Sequence, residues 1–159
     1  MTINLSQKER MLLEDQKNHE MICIEKYTYY ANQATDEQLR QICMANGQIE
    51  KTHLDTINQL LSGNIPQMNQ QQNQGSQQGQ NFQQNASNVQ MGTSKLNDKD
   101  ICQDLLMTEK YVSGAYNTAI FEFRDTNVRD ILNHIQKEEQ KHGEAIFKYM
   151  ESKGMYNVQ

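Results

Sequence analysis

Two of the four histidines in this sequence stand in the same local setting. In "GQIEKTHLDTI" Glu50 precedes His53 by three residues, and in "QKEEQKHGEAIF" Glu139 precedes His142 by three. Residues three apart share a helix face, so each pair offers a carboxylate and an imidazole to one point in space. Two further glutamates, Glu20 and Glu109, each lie 30 residues upstream of the glutamate of a pair. Four carboxylates and two imidazoles brought together could bind divalent cations. Oxygen-rich ligation with two imidazoles suits iron or manganese better than zinc.

The elements that must position these groups are legible on either side of a compositional break. Charged residues are confined to 1–55 and 95–159, and between them "QMNQQQNQGSQQGQNFQQNASNVQ" holds 11 Gln and 5 Asn in its 24 positions. That stretch has almost nothing apolar to bury. It reads as a disordered connection, with an assembly element built on amide ladders as the competing reading. The flanking blocks lack proline, are poor in glycine and are rich in helix formers. Their apolar residues recur at helical spacing, as in Cys23/Ile24, Tyr27 and Tyr30/Ala31, then Leu39, Ile42/Cys43, Ile49 and Ile57, and likewise from Ile101 to Met150. Capping residues interrupt each block, at Thr35 and Asp36 and at Asp125 and Thr126. Pro66 helps to stop the second helix, and Gly154 suits a C-terminal cap of the last. The expectation is an all-α chain: a first hairpin over 1–62, a Gln/Asn-rich crossover linker over 63–97 and a second hairpin over 98–159.

An offset of 89 residues lays the second block on the first without a gap. Glu20 meets Glu109, Tyr27 meets Tyr116, Arg40 meets Arg129, Glu50 meets Glu139 and His53 meets His142. The reading is an old duplication of one hairpin. In an antiparallel pair, residues equidistant from the turn lie level. Glu20 and Glu50 are centred on position 35, and Glu109 and Glu139 on 124, at or beside the two turns. Apolar neighbours at helical spacing mark this face as inward. Packing the hairpins then converges four Glu and two His in the interior. Uncompensated, those buried carboxylates would each cost roughly several kcal/mol, so cations should sit among them. One Glu from each of two helices plus Glu-x-x-His from each of the other two is the ligand pattern of ferritin-like di-iron and di-manganese bundles. The expected metal ligands are therefore Glu20, Glu50, His53, Glu109, Glu139 and His142, around a dinuclear iron or manganese site. The competing reading is that duplicated hairpins retain buried polar pairs without metal, or that these positions face solvent.

Other residues read more plainly. Cys23, Cys43 and Cys102 align with Val112, Leu132 and Leu13, so they behave as small core hydrophobes. His19 and His134 align with Thr108 and Ala45 and read as surface positions. Tyr27 and Tyr116 either fill the bundle or donate hydrogen bonds to the ligands. Asp15, Asp104, Arg40 and Arg129 read as ion pairs or caps. Net charge is −5, with a pI near 5.3, which gives no footprint for nucleic acid or an anionic membrane. Apolar runs are too short for a membrane span, and "MTINLSQKERMLLEDQKNHE" has no apolar core of a secretion signal.

Residues 100–159, beginning "DICQDLLMTEKYVSGAY", closely resemble the spore coat protein F family, most specifically over Cys102 to Tyr116 and Glu138 to His142. The opening "LSQKERMLLEDQKNHEMICIEKY" is similar to the N-terminal half of the same family. The resemblance implies a ferritin-like four-helix bundle made in the mother-cell cytoplasm of an endospore-forming bacterium and deposited in the spore coat. Other spore coat proteins would be its partners there, and a homo-oligomer is expected. Two functional classes follow. One is a structural coat component whose bundle holds a dinuclear site. The other is a di-iron or di-manganese oxidoreductase acting on peroxide or oxygen. In either, the linker could cross from one end of the bundle to the other or return directly.

Overall fold

The computed structural model describes residues 2–67 and 95–158. Four helices account for most of them: α1 (Gln7–Gln33), α2 (Glu37–Leu61), α3 (Asp98–Glu122) and α4 (Thr126–Ser152). Each begins where the sequence supplies an acceptor for free backbone N–H groups. Ser6 and Glu9 form a capping box at α1, and the side chains of Asp36, Asn97 and Asp125 accept from Gln38, Asp100 and Asn127 respectively. Two glycines with positive φ end α2 and α4. Gly63 (φ 84°) lets Asn64 N–H reach the Gln59 carbonyl at 2.9 Å, and Gly154 (φ 68°) lets Met155 N–H reach Met150 at 2.8 Å. The cap expected at Gly154 is thus present. Pro66, expected to help stop α2, lies beyond a helix that Gly63 has already closed. Most of the linker expected over 63–97 lies outside the described residues.

α1 packs on α2 and α3 on α4 as antiparallel hairpins, and these meet through α1 against α3 and α2 against α4. The hairpins run in opposite senses. Lys8 and Glu9 of α1 reach Glu122 and Arg124 at the second turn, whereas Lys26 and Tyr30 reach Asp104 near the start of α3. Arg10 also donates to the Leu61 carbonyl, which places the end of α2 beside the start of α1. α2 therefore ends, and α3 begins, at opposite ends of the bundle.

Reciprocal caps tie the hairpins together. At one end, the buried Glu9 carboxylate (3% exposed) accepts from Arg124 N at 3.0 Å, Arg124 Nε at 3.1 Å and Arg124 Nη2 at 2.9 Å. At the other, Asp98 accepts from Thr35 N at 2.8 Å and Asp36 N at 2.9 Å. Among the described residues, three of the four recurring charges expected to form ion pairs or caps do so, Asp15 being the exception. Asp104 meets Lys26 and Tyr30, Arg40 donates to the Ala34 carbonyl, and Arg129 donates to the carbonyls of Phe123 and Arg124.

Two apolar clusters fill the interior. One gathers Ile57, Leu60, Val112, Phe123, Val128 and Leu132 toward the second turn, and the other gathers Tyr30, Leu39, Cys43, Ile101, Leu105 and Ile146 toward the first. Cys23, Cys43 and Cys102 are free and buried in this core, as small hydrophobes would be. Ile49, counted in the apolar series, is instead exposed, because it sits one residue, about 100° of helix, away from the inward-facing Glu50. Among the described residues, no helix is long and apolar enough to cross a membrane.

The Glu9 cap gives a pH-dependent prediction. The Arg124 side chain beside it holds its carboxyl at about 2, below the ordinary 4.5, even though burial acts the other way. A carboxyl depressed on folding stabilises fully above its unfolded pKa, and that contribution fades as pH falls from about 4.5 toward about 2. Glu9→Gln should lower stability near neutrality by about 1–3 kcal/mol, because the Ser6 N–H and the Arg124 donors lose an ionised acceptor. Urea midpoints of wild type and variant should converge in acid. A gap that stays constant with pH would contradict this role.

Candidate metal centre

On α2, α3 and α4 the two apolar clusters are separated by a layer of polar side chains, which α1 enters through Glu20. The structure brings all six sequence-expected residues into this layer. Glu20, Glu50 and Glu139 are 0% exposed, and His53, Glu109 and His142 are 2% exposed. The alternative in which they face solvent is excluded.

Their arrangement has two halves. Around His53, Nδ1 lies 3.6 Å from Glu20 Oε2, 3.1 Å from Glu50 Oε2 and 3.2 Å from Glu139 Oε1. Around His142, Nδ1 lies 3.0 Å from Glu50 Oε1, 3.6 Å from Glu109 Oε1 and 3.5 Å from Glu139 Oε2. Glu50 and Glu139 thus turn one oxygen to each half, while Glu20 and Glu109 each belong to one. Ligand atoms from Glu20, Glu50, His53 and Glu139 all lie within 4.8 Å of one another, as do those from Glu50, Glu109, Glu139 and His142.

Several of these atoms lack any hydrogen-bond partner. Glu20 Oε2, Glu109 Oε2, both oxygens of Glu139 and His142 Nε2 are buried and unpaired. Folded proteins rarely leave buried carboxylate oxygens unanswered, so the layer has the chemistry of a cation site. Each of the two donor groups, with its orphaned oxygens, could hold a divalent cation.

Protons balance the charge in the metal-free state. Burial pushes the Glu20 carboxyl up to about 8 and Glu109 up to about 9. Burial acts upward on Glu50 and Glu139 as well, but His142 and His53 outweigh it, hydrogen-bonding to Glu50 and facing Glu139 with their Nδ1 atoms, and both carboxyls are lowered from the ordinary value. Burial pulls the imidazoles down, yet the carboxylates around them win: His53 is raised far above the ordinary histidine value, and His142 to about 11. In the metal-free layer the raised imidazoles of His53 and His142 and the raised carboxyls of Glu20 and Glu109 thus all act to offset the buried negative charge.

The tyrosines do both things considered for them. Tyr27 and Tyr116 are buried in the core, and each donates to a glutamate of the opposite hairpin, Tyr27 to Glu109 and Tyr116 to Glu20. Asn46 Nδ2 adds a donor to the Tyr27 hydroxyl at 3.2 Å. Gly47 permits this packing, since a β-carbon there would come within 3.1 Å of Tyr27 Cβ. Neither His19 nor His134 lies in the layer. His19 is half-buried beside Gln16, and His134 is exposed.

Two contributors escaped the sequence reading. Asn46 has Ile135 as its 89-residue counterpart, and Glu138, which meets His53 Nε2 at 2.8 Å, has Ile49. Matching the halves reveals only what they share, so neither stood out. A signal for Glu138 was present in its helical spacing of four from His134.

The family comparison bears on the second hairpin. Residues 97–159 match the family model of the Coat F domain. The resemblance read from residues 100–159 is borne out over that stretch, which contains Glu109, Glu139 and His142. The chain is also similar to YusN, an uncharacterized protein of Bacillus subtilis (strain 168), with 37% identity over 67 residues, 42% of this chain and 61% of the relative. The chain thus spans about three fifths of the length of the curated relative it matches.

The tyrosine contacts predict an unequal pair of substitutions. Tyr27→Phe strands both Glu109 and Asn46, whereas Tyr116→Phe strands Glu20 alone. Thermal unfolding should show a loss of about 1–3 kcal/mol for Tyr27→Phe and less for Tyr116→Phe. Equal losses would show that Asn46 contributes nothing through the hydroxyl.

Proposed function

We propose that this chain is a spore coat component of an endospore-forming bacterium. Its bundle is of the ferritin-like kind, built from two copies of one hairpin, and holds two divalent cations, iron or manganese. The carrying observation is Glu139: a fully buried carboxylate whose oxygens both lack a hydrogen bond, each facing a different histidine Nδ1. Glu20 and His53 would hold one ion, and Glu109 and His142 the other, with Glu50 and Glu139 shared. Two divalent ions would neutralise four carboxylates and take the place of the protons that balance the metal-free layer.

The surrounding residues suit that role. The apolar clusters on either side exclude water and strengthen every charge interaction within the layer. Tyr27 and Tyr116 fix the rotamers of Glu109 and Glu20, which restrain one oxygen of each and leave the other free to ligate. Such a pair of ions supplies Lewis acidity and one-electron redox chemistry when bound.

The Coat F match over 97–159 supports the coat assignment. In that setting the protein is made in the mother cell and its partners are other coat proteins. A second reading is an oxidoreductase acting on peroxide or oxygen. It is favoured by the donor count, since each ion would have four protein side chains, whereas oxygen-ligated manganese is commonly octahedral. Positions would remain for a small oxidant.

Elemental analysis of protein purified from cells should find about two equivalents of iron or manganese per chain. The double variant His53→Ala/His142→Ala should lose most of it. Retention in wild type should fall with pH, because ligation requires ionised carboxylates and neutral imidazoles. Equal trace metal in wild type and variant would sink the metal reading. Peroxide consumption no faster than that of free metal would remove the oxidoreductase reading. Absence of the protein from coat extracts of purified spores would remove the coat assignment.

A further inference from the structure

The two halves of the layer match in six residues and differ behind their histidines. His53 Nε2 lies 2.8 Å from Glu138 Oε2, and the other oxygen of that carboxylate lies 3.5 Å from Nε2 of the exposed His134. His142 Nε2, by contrast, is buried and has no partner at all. The 89-residue register explains the difference: the counterpart of Glu138 is Ile49, which has nothing to offer an imidazole.

We infer that the two cation positions are unequal, and that Glu138 is the positioning residue that makes the His53 position fill first. This rests on the metal reading above. An imidazole that ligates through Nδ1 carries its proton on Nε2. Where a carboxylate accepts that proton, the ring is fixed in tautomer and orientation and becomes a more basic ligand. His53 has such an acceptor. His142 must bury the same N–H with none, a standing penalty on its ligating form. The remaining donors are shared or parallel: Glu50 and Glu139 serve both positions, and Glu20 and Glu109 are each held by one tyrosine, with Asn46 bracing Tyr27 alone. Glu138 is partly exposed, at 24% of its side chain, so its replacement should spare the fold.

The test is a titration of the metal-free full chain with Mn2+, followed by calorimetry and electron paramagnetic resonance. Wild type should bind in two steps whose dissociation constants differ by about 10–100-fold. The first equivalent should give the spectrum of isolated Mn2+, which the second converts to that of a coupled pair. Glu138→Ala should weaken the first step by about 10–100-fold, so that the two constants converge and coupled pairs appear from the start. Glu138→Gln, which keeps an acceptor oxygen without the charge, should fall between. Circular dichroism and urea midpoints close to wild type would show that the fold is unchanged. If Glu138→Ala alone failed to fold, the Gln variant would decide. Two ions bound with equal affinity in wild type, or a first step indifferent to both variants, would overturn the inference and leave the metal reading standing. No Mn2+ bound by wild type would overturn both.

Discussion

Six ionisable side chains buried at one level impose the constraint on which this bundle depends. Removing that many charged groups from water is affordable only if opposite charge goes in with them. Without metal, the upward shifts of both imidazoles and of the Glu20 and Glu109 carboxyls work toward that balance. The same groups, stripped of their protons, would meet it with two divalent ions. Either way neutrality belongs to the layer as a whole rather than to any pair within it. The shared oxygens of Glu50 and Glu139 make the two halves one electrostatic unit.

The rest of the fold serves that layer. Apolar clusters on both sides keep water out, and hydrogen bonds from tyrosines cross between hairpins to hold the outer carboxylates. Helix starts are fixed by Ser6, Asp36, Asn97 and Asp125, so that the glutamates and histidines arrive level. A shift of one residue in either hairpin would rotate a ligand by about 100° out of the layer.

Much of this was legible in the sequence because it rests on spacing. Helical periodicity gave the four elements, and the symmetry of Glu20/Glu50 about position 35 and Glu109/Glu139 about 124 placed the carboxylates at one height. What was not legible rests on contacts between helices that spacing cannot encode. Glu138 looked like one acid among many beside Glu139, and only the packing of α4 on α2 turns it toward His53. Ile49 fitted the apolar rhythm, yet its neighbour Glu50 took the inward direction. The stop at Gly63, ahead of Pro66, depended on a left-handed backbone that Asn64 could equally have supplied.

The reciprocal caps carry a further consequence. Glu9 of the first hairpin completes the turn of the second, and Asp98 of the second completes the turn of the first. Neither hairpin by itself satisfies its own loop, and neither owns more than half of the buried layer. A chain holding a single such hairpin would have to borrow a neighbour's carboxylate to close its turn, so each hairpin is structurally complete only in the company of another.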